Sequence, residues 1–208
     1  MKDWKLRFSI IGIILIFTLN LVGCKENTPH VNVYNWGDYI DKNILKEFEI
    51  ETGIKVNYDT FATNEDLYVR MMQGTTDFDL IVPSDYMIER MIDEHMLEKL
   101  DLSNIPNMKN IDDQFLKLDY DPLGEYSVPY MWGTVGIIYN ERMIDEKIDS
   151  WEILWDERYK DEIIMLNSQR DTFAVALLKL GYSMNTRSYD ELVEAKEELI
   201  RQKELVYA

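Results

Sequence analysis

Asp77-Phe78-Asp79-Leu80-Ile81-Val82-Pro83-Ser84-Asp85-Tyr86 is the stretch on which the fold turns. Its apolar run reads as a buried strand. Pro83 has no backbone N–H to give to a ladder and ends it, and a helix from about Asp85 to Asp93 follows. Toward the N-terminus, Thr63 or Asn64 opens a helix with Leu67 and Met71 on one side and Gly74 behind it. Ile54-Lys55-Val56-Asn57-Tyr58 alternates as a strand. Asp41 is suited to cap a helix in which Ile44, Leu45 and Phe48 share a face, with Gly53 as its stop. Val31 to Tyr34 is a first strand. Strand, helix, strand, helix, strand is the order of a parallel sheet with crossover helices, an α/β fold. In such sheets ligands lie at the carboxyl ends of strands. Asn35-Trp36 and Pro83-Ser84 both fall at such ends.

Residues 101–126 are polar and rich in turns. The following stretch, Ser127-Val128-Pro129-Tyr130-Met131-Trp132-Gly133-Thr134, carries a proline and a glycine, and Gly136 comes two residues later. It fits a chain crossing between lobes. Gly136 to Tyr139 and Glu162 to Leu166 are further strand candidates. Asp171 to Leu180 reads as a helix with Phe173, Ala176, Leu177 and Leu180 on one face and Gly181 as its stop. Ser188 and Glu191 match a capping box that opens a helix to about Gln202. Leu205 starts another apolar stretch.

The 208 residues are 46% hydrophobic and 29% charged, the composition of an ordinary globular protein. Acidic residues outnumber basic ones 39 to 22, for a formal net charge of -17. Nucleic acid is therefore excluded as a partner, because counterion release needs clustered Lys and Arg. A cationic partner is permitted, and the same charge serves solubility. One cysteine excludes an internal disulfide framework and any zinc site built on several thiolates. Two histidines, His30 and His95, exclude a multi-histidine metal centre. No metal and no cofactor are expected.

At the N-terminus Lys2, Lys5 and Arg7 precede an apolar stretch from Phe8 to Leu19. It is shorter than the roughly 20 residues that span a bilayer comfortably and reads as the apolar part of a signal peptide. Leu21-Val22-Gly23-Cys24 resembles a bacterial lipobox. That resemblance implies a lipoprotein signal peptide over residues 1–23, lipid on Cys24, a tether over residues 24–30, and a folded part held outside the cytoplasmic membrane. The competing reading is an uncleaved anchor with a bystander cysteine.

The residues that carry chemistry are aromatic and acidic side chains gathered at strand ends: Trp36, Asp38 and Tyr39 after the first strand, Ser84, Asp85 and Tyr86 after the third. An ammonium ion is held well by a carboxylate and an aromatic face, the latter contributing about 0.5–2 kcal/mol. A flexible diamine also buries methylenes, at about 0.8 kcal/mol each. The plainer reading makes Trp36 and Tyr39 core residues at a helix start and Asp38 a solvated acid.

Taken in order, Asn35-Trp36-Gly37-Asp38-Tyr39, Phe48…Thr52-Gly53-Ile54-Lys55-Val56, Asp79 to Tyr86, Ser127 to Thr134, Trp151…Leu154-Trp155 and Leu177 to Ser183 resemble the spermidine/putrescine-binding proteins of bacterial ABC importers. The resemblance covers residues 31–208. It implies a type II periplasmic-binding-protein fold of two lobes, residues 31–132 forming the first and 133–208 part of the second. It also implies a polyamine in the cleft, delivery to an ABC permease, and no catalysis. Position by position, Trp36 and Tyr39 become cleft aromatics, and Asp38 stands where the family often has glutamate. Ser84 and Tyr86 match the family's serine and tyrosine after the proline. Asp171 matches an amine-binding glutamate. Ser168 stands where the family usually has aspartate, so a neutral hydroxyl replaces a charge.

Family members continue well beyond residue 208. The second lobe is therefore expected to be incomplete, with the remainder absent or on a separate chain. Three readings compete with polyamine capture. They are a binding protein for another solute, a non-functional remnant, and an extracytoplasmic hydrolase with Asp38 and Asp85 as its carboxylate pair. No nucleophile elbow or metal motif accompanies the hydrolase reading.

Overall fold

A computed structural model describes residues 28–74 and 77–207. The expected signal peptide over residues 1–23 and the expected lipidation of Cys24 lie outside these residues. The described chain forms two compact units. One takes the chain up to Phe61 with Gln73–Val82, the other Ala62–Met72 with everything from Pro83 onward.

The first unit is built on a parallel sheet. Strand β1 (His30–Trp36) lies between β2 (Lys55–Phe61) and β3 (Leu80–Ile81). The register runs from His30 opposite Lys55 to Trp36 opposite Phe61, and Val33 and Tyr34 face Leu80 and Ile81. Helix α1 (Lys42–Thr52) makes the first crossover. Asp41 caps it by accepting from the Asn43 amide at 2.9 Å, and Gly53 ends it in the left-handed region at φ 71°. A residue with a Cβ pays a steric cost in that conformation, which is why glycine stands there. The Tyr34 ring stacks on Phe78 at 4.4 Å and meets Phe61 edge-on at 4.9 Å.

The expected strand over 77–82 is shorter than its apolar pattern. Asp77 and Asp79 turn to Asn32, which donates from Nδ2 to the Asp77 carbonyl and from its amide to the Asp79 carboxylate, each at 2.8 Å. Val82 donates to Tyr34 O at 3.0 Å before the ladder stops at Pro83.

The second unit begins with α2 (Asn64–Met72), capped by Thr63, whose hydroxyl accepts from the Asp66 amide and donates to its carboxylate. After α3 (Asp85–Asp93) come short 3-10 turns within residues 102–115. The chain then turns around Asp121. Its buried carboxylate accepts from the amides of Glu125, Tyr126 and Ser127 and from the Ser127 hydroxyl. Burial pushes this carboxyl up, but the four hydrogen bonds outweigh burial and hold it below the ordinary aspartate value.

Two helices close the unit, α4 (Gln169–Lys179) and α5 (Tyr189–Gln202). Ala176, Leu177 and Ala195 are buried between them, with Trp155, Phe173, Leu180, Leu192 and Leu199 around them. Two small residues let the helices approach closely. Beside that contact Lys179 pairs with Glu198 at 2.8 Å, and the Trp155 indole donates to Glu198 O at 3.0 Å.

Two strand expectations fail here. Gly136–Tyr139 is irregular, and Ile138 is 99% exposed. Of Glu162–Leu166, Ile163 alone pairs, in a parallel bridge to Val206. A strand is stable only with a neighbour for its amides and carbonyls, and among the described residues none reaches 136–139.

Replacing Leu177 by alanine removes a buried side chain from the α4–α5 contact. It should cost about 2–5 kcal/mol in urea unfolding, whereas Leu178→Ala, on an exposed position of the same helix, should change stability by less than about 0.5 kcal/mol. Equal costs would show that α4 does not pack through this face. The depressed Asp121 carboxyl contributes stability above its unfolded-chain value of about 3.9, and that contribution disappears as pH falls through the lower folded value. The protection of the amides of residues 125–127, relative to their intrinsic exchange rates, should fall on acidification, and at neutral pH in Asp121→Ala. Unchanged protection in the variant would remove the turn from its care.

Candidate ligand site

The sequence-predicted residues fall into two groups, one in each unit. In the first, β1 ends at Trp36, whose amide is fixed by the buried Asn35 side chain (N to Oδ1, 2.7 Å). Its half-buried ring packs on Phe61 at 4.5 Å and on Tyr39 at 5.7 Å. The Tyr58 hydroxyl donates to Trp36 O at 3.1 Å. Tyr39 and Asp38 are exposed on the turn that follows. Trp36 is thus anchored from one side by the sheet, with part of its ring left in solvent. That is the disposition of an aromatic platform as much as of a core residue.

In the second unit the first turns of α2 and α3 meet side by side. Asn64, 5% exposed, spends its whole carboxamide there. Oδ1 accepts the Ser84 amide at 3.0 Å, and Nδ2 donates to Ser84 Oγ at 3.0 Å and to the Tyr86 phenol oxygen at 2.9 Å. The Tyr86 hydroxyl donates in turn to Glu65 Oε1 at 3.2 Å. Burial pushes the Tyr86 phenol up to about 12, with the Asn64 hydrogen bond acting against it and the negative charges of Glu65 and Asp171 adding to it. Asp171 lies in the first turn of α4. The Arg170 guanidinium lies 5.7 Å from the Tyr86 ring centroid, at the outer end of the cation–π range, and donates to Asn185 Oδ1. Asp85 is exposed and binds the Tyr86 amide at 2.7 Å. Its charge helps burial raise the Tyr120 phenol. Ser168 caps α4 and accepts from the Asp171 amide at 3.3 Å.

The structure thus gathers Ser84, Asp85, Tyr86 and Asp171 in one unit and Trp36, Asp38 and Tyr39 in the other. Sequence reasoning passed over Asn64, Glu65 and Arg170. The signal for the first two was present in Thr63-Asn64-Glu65-Asp66, which reads as ordinary helix-start chemistry. Among the described residues no group of three or more His, Cys, Asp or Glu is placed to hold a metal ion. None of their helices is long and apolar enough to cross a membrane.

Residues 43–206 match the family described as bacterial extracellular solute-binding protein. The spermidine/putrescine-binding periplasmic protein of Salmonella typhimurium is 42% identical over 201 residues, covering 96% of this chain and 57% of that protein. The putrescine-binding periplasmic protein PotF of Escherichia coli is 33% identical over 212 residues, covering 96% of this chain and 56% of its own length. Among solved structures, the Tp0655 (TpPotD) lipoprotein of Treponema pallidum superposes with a TM-score of 0.80 at 33% identity, over 86% of this chain and 56% of that one. The spermidine/putrescine substrate-binding protein PotD of Streptococcus pneumoniae gives 0.70 at 41%, over 87% and 56%. The chain spans about half the length of the curated relatives it matches.

The Tyr86 phenol should ionise late. In a rapid-mixing ultraviolet titration of the parent chain against Tyr86→Phe, the difference curve should be centred near pH 12. A difference curve centred at the ordinary value of about 10 would mean that the hydroxyl is not held as described.

Proposed function

The chain belongs to the bacterial extracellular solute-binding proteins, and we propose that it captures a polyamine, spermidine or putrescine, in an aromatic and acidic cleft and delivers it to an ABC permease. The observation that carries this reading is the Tyr86 cluster. A half-buried, protonated phenol donates to the Glu65 carboxylate, and the negative charge of Asp171 also bears on it. An ammonium group brings three donors and no acceptor, so acceptors and negative charge are what it requires. The polyamine names of the relatives support the same ligand class.

In this reading Trp36 and Tyr39 supply flat faces for the methylene chain, and Asp38, Asp85 and Asp171 face amines. Ser84 and Tyr86 supply hydroxyls, and Ser168 orients Asp171 through its amide. Residues 31–132 belong to the first lobe and 133–208 to the second. The relatives are named for binding, which supports a chain that works without catalysis. Lipid on Cys24 keeps it outside the cytoplasmic membrane, a reading supported by the Treponema pallidum neighbour, which is described as a lipoprotein.

The second lobe is completed by further chain, covalently continuous or separate. In support, the run from Tyr130 to Ile138 has the composition of a crossing segment and a strand, yet Tyr130, Met131, Trp132 and Ile138 are all more than half exposed. Such a surface is costly in water unless something covers it.

Calorimetry on two proteins tests this. One is residues 24–208; the other is the same chain continued with the C-terminal part of the Salmonella typhimurium relative. The continued chain should bind spermidine or putrescine and the shorter one weakly or not at all. No heat from the continued chain with any polyamine would remove the assignment. In the continued chain Trp36→Ala should weaken binding by about 2- to 30-fold, the range of a cation–π contact, with the helical circular dichroism retained. Unchanged affinity would return Trp36 to the core.

A further inference from the structure

Ser84 occupies the N-cap position of α3, where a serine normally accepts an amide hydrogen from the first turn, yet it makes no such bond. Three other serines at helix starts do cap. Ser150 accepts from Glu152 N, Ser168 from Asp171 N and Ser188 from Glu191 N. What distinguishes Ser84 is Asn64. Its Nδ2 already donates to Ser84 Oγ, and its Oδ1 holds the Ser84 amide. The orientation of that carboxamide is fixed by chemistry. An amide N–H can only meet an acceptor, so Oδ1 must face Ser84 N, which leaves both hydrogens of Nδ2 for the two hydroxyl oxygens. Each hydroxyl is then an acceptor toward Asn64 and points its own hydrogen elsewhere, Tyr86 toward Glu65.

Resting on the polyamine reading above, we propose that Asn64 is the positioning residue of the amine site. Through one buried carboxamide it draws Ser84 off the helix end and locks Ser84 and Tyr86 into the arrangement a cationic ligand meets. Asn64 is 5% exposed and its donors are fully used, so it acts through the two hydroxyls and not on the ligand. Glu65 shares the arrangement as the acceptor of the Tyr86 hydrogen. It is exposed, and it is the carboxylate that an arriving ammonium would engage in place of the phenol.

The test uses the chain labelled with 13C at the tyrosine ζ-carbon, with the Tyr86 resonance identified by its loss in Tyr86→Phe. Without ligand, Asn64→Ala and Asn64→Asp should both move that resonance. The aspartate variant keeps the side-chain volume and the acceptor for the Ser84 amide, and replaces the two donations by a negatively charged acceptor. It therefore reports on positioning even if the alanine variant fails to fold. An unmoved Tyr86 resonance in a folded Asn64→Asp chain overturns the proposal, whatever the chain binds.

Read by calorimetry with putrescine on the continued chain, Asn64→Ala should weaken the response about tenfold in the parent background. In a Ser84→Ala/Tyr86→Phe background, where there is nothing left to position, it should change the response less than twofold. An equal loss in both backgrounds would make Asn64 a ligand contact or a general structural residue and would also overturn the proposal. If the Tyr86 resonance moves in the variants but no polyamine perturbs the parent or the continued chain, the polyamine reading fails while the positioning role stands.

Discussion

Strand β1 takes hydrogen bonds from a parallel neighbour on each edge, and a parallel neighbour can be reached only by a crossover of a dozen or more residues. All three strands therefore run out of the sheet in the same direction. The register puts Trp36 beside Phe61 and Tyr34 beside Ile81, so the three exits are neighbours. The residues that come next along the chain are Gly37-Asp38-Tyr39, Ala62-Thr63-Asn64 and Val82-Pro83-Ser84. The first exit carries the Trp36 group of the first unit and the other two lead into the Asn64 group of the second, and what they carry is chemistry that a strand interior would not accommodate: a carboxylate on a turn, an amide at a helix start, a serine behind a proline.

The second unit shows what each exit does with its polar groups. A helix start leaves several N–H groups without partners, and a serine or aspartate hydroxyl or carboxylate normally takes one, contributing about 0.5–2 kcal/mol. Thr63 follows this rule, as Asp41 does in the first unit. Ser84 departs from it, and the departure is local: α3 keeps its first backbone bonds, Met87 and Ile88 both donating to Ser84 O at 3.0 Å. The helix is intact while its cap side chain is committed to Asn64. A fold that forgoes a cap in this way has placed geometry at that point above local stability, which is the pattern expected of binding sites rather than of scaffolding.

How far this was readable from the sequence depends on the range of each signal. Helix α1 was legible at both ends because Asp41 and Gly53 act within four residues of themselves. The Ser188 box was legible for the same reason. The alternation of Ile54–Tyr58 found β2, although the strand runs on to Phe61 because β1 is there to pair with it. Gly136–Tyr139 has a comparable pattern and forms nothing regular, since a strand's last requirement is a neighbour and not a composition. Trp36, Ser84 and Tyr86 could be picked out as rings and hydroxyls at strand ends, and Asp171 only through the family resemblance. Asn64 could not, because its three partners lie 20 or more residues away in sequence and its own neighbours spell an ordinary helix start. Rings, hydroxyls and acids advertise themselves by type; a residue that holds them in place is betrayed only by contact.

The charge around Tyr86 sets what the site can take. Its phenol stays protonated throughout the physiological range, so it contributes a dipole and no charge. Glu65 and Asp171 bring two negative charges to it, and the Arg170 guanidinium, tethered to Asn185, brings one positive charge to its ring. Close to the hydroxyl the balance therefore accommodates one added cation. A second ammonium on the same ligand would meet a site already neutral and needs carboxylates from elsewhere. On the polyamine reading proposed above, the distance between two amines, set by the methylenes joining them, would then be the property that tells one polyamine from another. The Tyr86 cluster fixes where that distance starts, and how sharply it does so depends on how rigidly Ser84 and Tyr86 are held.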